Sequence, residues 1–108
     1  MKQLGFVSEL IPLVLSGEKT ITWRRQPYDF DILPGDVLEF VESVTRKPFA
    51  RAKIVSVNNT TFGGMRHEDK EGHEKFVSEE EMYRTYSGYF GYSVTGSSLV
   101  KVIKFKLI

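Results

Sequence analysis

Apolar residues fall into short runs separated by turn residues, and the runs differ in period. Lys2–Val7 predicts a short first strand. Ser8 is placed to cap a short helix whose buried stripe is Leu10, Ile11, Leu13, Val14 and Leu15, with Pro12 tolerable only near the first turn. Gly17 stops that helix. Thr20–Arg25 is rich in β-branched and aromatic residues and predicts a strand. A loop over Gln26–Leu33 and a Pro34-Gly35-Asp36 turn lead into strands at Val37–Ser43 and Phe49–Val57, joined by a turn at Thr45–Pro48. In the second of these, Arg51 and Lys53 share one face, and Ala52 and Ile54 the other.

Asn58–Gly64 predicts a polar loop, and Met65–Gly72 one or two helical turns. Ser78 and Glu81 match a capping box that opens a helix running to about Ser87. A glycine- and aromatic-rich stretch, Ser87–Ser98, follows. Leu99–Ile108 predicts a final strand, with Ile103, Phe105 and Leu107 on one side and Val102, Lys104 and Lys106 on the other. About five strands and two or three short helices, without regular alternation, predict an α+β chain: a small, mostly antiparallel barrel with helices in its long connections.

The 108 residues suit one domain. With 41% hydrophobic and 27% charged residues, the composition is that of a folded protein. The absence of cysteine excludes disulfides, thiolate nucleophiles and cysteine-held metals. No apolar run reaches membrane-spanning length and the start lacks a signal-like segment, so a cytoplasmic protein with no membrane partner is expected, acting as a monomer. A net charge of +1 excludes nucleic-acid binding by bulk charge; any such ligand needs a local patch or pocket.

Three segments carry candidate chemistry. On the strand after Gly17, alternation puts Thr20, Thr22 and Arg24 on one face, with Lys19 at its edge, and Ile21 and Trp23 on the other as core anchors. That polar face is either a solvated strand surface or a site for an anion or polar heterocycle, in which a destabilised lysine ammonium serves as a base. The stretch from Arg66 to His73 holds two histidines and three carboxylates. Its histidines are six residues apart, which is not the spacing of a helical zinc pair, so no metal is expected and one carboxylate is left to point into a cleft. Among the aromatic residues, Tyr83, Tyr86 and Phe90 have the spacing of a buried helix face, whereas Tyr89 and Tyr92 are the candidates for ligand contact.

Taken together, Gly17-x-Lys19-x-x-Thr22-x-Arg24, the turn Pro34-Gly35-Asp36-Val37, the His67-to-Gly72 segment and the closing strand Val102–Leu107 resemble the motifs of the ASCH family in their order. The resemblance spans nearly the whole chain, so residues 1–108 are expected to form a single ASCH-like domain, and it implies a barrel related to the PUA RNA-binding domain. The broad family often carries glutamate where this chain has Thr22. Threonine there is similar to a compact bacterial subgroup of amidohydrolases, whose implied substrate is cytidine acetylated on its exocyclic amine. The resemblance implies a catalytic set of Lys19, Thr22 and Glu71, with Glu68 and Glu74 close enough in sequence to take the carboxylate's place. Arg24, Thr20, Tyr89 and Tyr92 are then expected to bind substrate, with no cofactor required. The alternatives are an RNA-binding module and a ribonuclease of the PUA-like class.

Overall fold

A computed structural model describes residues 1–25 and 31–108; part of the expected Gln26–Leu33 loop lies outside the described residues. Strand β1 (Gln3–Phe6) leads through a 3-10 turn (Ser8–Leu10) into helix α1 (Ile11–Ser16), then β2 (Ile21–Arg25), β3 (Val37–Glu42) and β4 (Pro48–Thr61). Helices α2 (His67–Lys70) and α3 (Glu79–Phe90) precede β5 (Leu99–Leu107). The strands form one sheet in the order β1-β3-β4-β5-β2. The β1–β3 pair is parallel and the other pairs are antiparallel.

The sheet coils until its outer strands approach each other: the guanidinium of Arg24 on β2 lies 4.7 Å from the ring centre of Phe6 on β1. Inside the coil, Phe6, Leu38, Phe40, Ile54 and Phe105 pack with Val14 of α1. A second cluster forms where α3 lies on the outer face, joining Tyr86 and Phe90 to Trp23, Phe62, Val100 and Val102. Strand β5 serves both, with Val102 in the outer cluster and its neighbour Ile103 in the inner one.

This explains three departures from the expected pattern. Val102 shares the face of Lys104 and Lys106, as predicted, but is buried because α3 covers that end of the strand. Strand β4 continues through Asn58–Thr61, where a loop was expected, because those residues pair with Val102–Leu99 after a register shift between Ile54 and Ser56. Helix α3 runs past Ser87 to Phe90, where Gly91 ends it with φ of +80°. Among the described residues, no helix is long and apolar enough to cross a membrane.

Two glycines place the candidate site. Gly17, at φ of +84°, ends α1 and donates its amide to Val14 O at 3.2 Å, turning the chain into Lys19. Gly72, at φ of +88°, meets the start of β2 so closely that a Cβ there would stand 2.1 Å from Thr20 Oγ1. Its carbonyl accepts the Thr20 amide at 2.8 Å. This contact pins the segment after α2 against the residues that precede β2.

The N-cap of α3 forms half of the expected capping box, because the Glu81 carboxylate bonds the amide one residue before the N-cap rather than that of Ser78. Ser78 Oγ accepts the Glu81 amide at 3.1 Å, and Glu81 reaches back to the Val77 amide. Ser78→Ala is expected to cost about 1 kcal/mol, lowering Tm by about 5 °C in a thermal melt.

Candidate functional site

Where β1 and β2 face each other, a cavity of about 350 Å³ opens along the seam. Phe6 supplies one wall, Thr22 and Arg24 the other, and Tyr86 and Tyr89 of α3 close one side, with Lys19 also in the lining. Lys19 is only 2% exposed and Thr22 4%, so both polar groups are largely withdrawn from bulk water.

Strand alternation places Thr22 and Arg24 together as expected, and Arg24 Nε donates to Thr22 Oγ1 at 3.0 Å. Thr22 Oγ1 thus accepts from arginine, which leaves its own O–H free to be given to a base. Trp23 points the opposite way, as expected. Its Nε1 donates to Asp69 O at 2.9 Å, and its ring stacks on His73 with centroids 3.6 Å apart and planes 11° from parallel.

Thr20 does not join this face. It precedes the first paired residue of β2, so alternation does not extend back to it, and its hydroxyl lies against Gly72 in a separate depression shared with Glu18 and Glu71. Tyr89 is 55% exposed at the cavity lining, where a ligand ring can reach it. Tyr92 lies outside that lining and packs near Phe90, with ring centroids 5.8 Å apart.

The carboxylate beside Lys19 is Glu74. Lys19 Nζ donates to Glu74 Oε1 at 2.6 Å. Glu71, the residue expected there, is exposed, and its carboxylate lies 3.5 Å from the exposed His67. Glu68 lies 3.4 Å from Arg66, also at the surface. The cause is the brevity of α2: the helix ends at Lys70, Glu71 is already extended, and Gly72 turns the chain, so the next side chains, His73 and Glu74, are the ones directed inward.

A second pair of contacts holds Glu74. His73 Nδ1 lies 2.7 Å from Glu74 Oε1 and 2.8 Å from the Glu74 backbone carbonyl, and its Nε2 lies 2.8 Å from the Tyr86 hydroxyl. Sequence reasoning missed this set. The sequence weighs His73 only as half of a histidine pair with the wrong spacing for zinc, and Tyr86 only as part of the buried face of α3. The available signal was Gly72, a helix stop directly before a His-Glu dipeptide.

The charges follow from burial and partners. Burial lowers the Lys19 pKa to about 8; Glu74 opposes that fall and Arg24 adds to it. Burial alone would raise Glu74, but His73 and Lys19 outweigh it and hold the carboxyl at about 2. Burial also lowers His73, only partly countered by Glu74, and pushes the Tyr86 phenol well above its ordinary value. Near neutral pH the cleft lining therefore holds a lysine ammonium within reach of deprotonation and a neutral phenol, and behind them an ionised glutamate bonds the lysine and a neutral imidazole bonds the phenol. Among the described residues no three His, Asp or Glu side chains gather as a cation site.

Neither a protein-family model nor a curated protein matches the sequence. Solved structures do match. Protein EF3133 from Enterococcus faecalis, assigned to DUF984, aligns with all of this chain and 80% of its own, with a TM-score of 0.80 at 15% identity. The hypothetical protein PH0355 aligns over 100% of both chains, with a TM-score of 0.73 at 24% identity. An ASCH domain from Lactobacillus crispatus covers 98% of this chain and 79% of its own, with a TM-score of 0.70 at 16% identity. At these identities the likeness is one of fold: the chain has the small α+β, PUA-like fold of ASCH-domain structures.

Proposed function

We propose that the seam cleft hydrolyses the amide that joins an acetyl group to the exocyclic amine of cytidine or a related nucleoside. The observation that carries this reading is a buried lysine, with its pKa lowered to about 8, in the same cleft as a threonine hydroxyl that accepts from Arg24. A neutral Lys19 takes the Thr22 proton, and Thr22 Oγ adds to the acetyl carbonyl. Arg24 steadies the oxyanion. Collapse breaks the C–N bond, the amine leaves with the proton from Lys19, and an acetyl ester remains on Thr22. Water, deprotonated by Lys19, then releases acetate and restores the hydroxyl. Glu74 takes the place that the family resemblance assigned to Glu71: it accepts the Lys19 ammonium and holds it at the cleft. Tyr89 offers a ring to the pyrimidine at the opening.

Incubation with acetylated cytidine, with free acetate as the readout, tests this directly. Because the neutral lysine is the active form, kcat/KM is expected to climb about tenfold per pH unit and level off above about pH 8. Absence of acetate release across that range would remove the reading.

A second reading, RNA binding, has its own observation. The part of the outer sheet face beyond α3 carries Arg51, Lys53, Lys104 and Lys106, with Lys53 directly opposite Lys106. None of the four forms an ion pair among the described residues. Like charges directly opposite destabilise a sheet, and a polyanion would relieve them. Labelled single-stranded RNA in the same assay separates the readings: binding that weakens steeply with salt, or cleavage of the strand, would favour the RNA readings.

A further inference from the structure

The contacts of His73 determine where its protons lie. Its Nδ1 faces two oxygens that can only accept, the ionised carboxylate and the backbone carbonyl of Glu74, so Nδ1 carries hydrogen. The imidazole is buried, which disfavours its charged form, so Nε2 is bare and accepts the Tyr86 hydroxyl. A directed chain results: Tyr86 O–H to His73 Nε2, His73 Nδ1–H to Glu74, and Lys19 N–H to the same carboxylate oxygen.

Glu74 needs such a hold. Its side chain is 20% exposed; it stands outside the lining of the seam cavity, behind Lys19, and lines a second cavity of about 650 Å³ with His67, Lys70, Lys75 and Glu79. A carboxylate that lines an open cavity can turn out into it and leave the lysine behind. Only the pose seen here keeps it on Lys19.

We propose that His73 and Tyr86 are positioning residues: the Tyr86 hydroxyl donates to Nε2 and holds the ring in place, and the His73 Nδ1–H keeps the Glu74 carboxylate on Lys19 rather than turned out into the cavity it lines. Other titratable groups face this chain: Arg24 from β2 and Tyr89 from α3 lie near Tyr86, and Glu9 from the 3-10 turn lies near Tyr89. Neither Arg24, Tyr89 nor Glu9 contacts the His73 ring nitrogens by hydrogen bond. The consequence for catalysis rests on the hydrolase reading; the geometric claim does not.

Substitutions separate a hydrogen-bonding role from a packing role. His73→Phe keeps a flat ring against Trp23 and removes both nitrogens. His73→Asn removes the ring and leaves an amide N–H near the position of Nδ1. If His73 were only packing, Phe would be the better replacement. If it positions Glu74, Asn is the better one.

The experiment is NMR on isotope-labelled full-length protein, reading the His73 ring nitrogens and titrating Lys19 through its side-chain signals, with the pH profile of acetylcytidine hydrolysis alongside. The wild type is expected to show protonated Nδ1 and bare Nε2 near neutral pH. In His73→Phe, Lys19 loses the held carboxylate and its pKa is expected to drop by about one unit. Tyr86→Phe should shift it the same way by less, and His73→Asn should leave it near the wild-type value of about 8. The acid limb of kcat/KM should move with Lys19. An Nε2–H tautomer or an imidazolium in the wild type overturns the proposal, and that measurement requires no variant to fold. So does a Lys19 titration that His73→Phe leaves unchanged or raises, or an Asn variant that behaves like Phe. If no protein releases acetate, the hydrolase reading fails, while the tautomer and the Lys19 titration still decide the positioning role.

Discussion

Lys19→Arg is expected to abolish acetyl release from acetylated cytidine while leaving substrate binding largely intact. Arginine keeps the positive charge and can still reach a carboxylate, but it cannot give up its proton in a protein. General-base assistance is commonly worth about a hundredfold to ten-thousandfold, so the loss should be plain in a steady-state assay. Thr22 tests the other half of the same step. Thr22→Ser keeps the hydroxyl that accepts from Arg24 and should retain measurable turnover. Thr22→Val keeps the shape, removes the hydroxyl and should be inactive. A direct attack by water would instead leave Thr22→Val slowed but working. An RNA-binding module would tolerate both Lys19→Arg and Thr22→Val with little change in its own affinity. Turnover of Lys19→Arg near the parent rate would remove Lys19 as the base.

Much of this cleft was legible in the chain because one period-two strand carries most of it. Thr22 and Arg24 on one face of β2, and Ile21 and Trp23 on the other, follow from pleat geometry alone. The same reasoning sorted Arg51 and Lys53 from Ala52 and Ile54, because β4 there has one covered face. It failed where a local pattern meets a distant element. Val102 alternates with lysines, and only the docking of α3 buries it. Asn58 and Asn59 have turn chemistry, and only the ladder to β5 makes them strand. His73 was hidden for a similar reason. A polar run reads as a solvated helix, and nothing local shows that Gly72 breaks it and sends the next two side chains under Trp23. Thr20 shows the reverse error, since a pattern valid inside β2 was extended one residue beyond the strand.

Glu74→Gln is expected to lower kcat/KM at least about a hundredfold, whereas Glu71→Gln and Glu68→Gln should stay close to the parent rate. The glutamine has nearly the same volume and can still accept a hydrogen bond, so packing beside His73 is largely kept. What is lost is the charge that faces Lys19 at 2.6 Å. Burial already disfavours the Lys19 ammonium, and without Glu74 its pKa should fall below about 8. The residual activity should then begin at lower pH than in the parent, but from a lysine no longer held in place by a carboxylate. Stability gives an independent check, with its sign set by the folded pKa. Glu74 titrates at about 2 in the folded chain, against an ordinary 4.5. Its contribution is therefore fully present above about pH 4.5 and is lost as pH falls toward 2. Urea unfolding of the parent should weaken across that acid window, and Glu74→Gln should flatten the part that Glu74 supplies. Glu71, exposed and beside His67 at the surface, should leave turnover close to the parent rate when replaced. If Glu71→Gln proved the damaging change and Glu74→Gln the silent one, the Lys19–Glu74 contact would have no part in the chemistry, and the carboxylate of the site would have to be sought on α2.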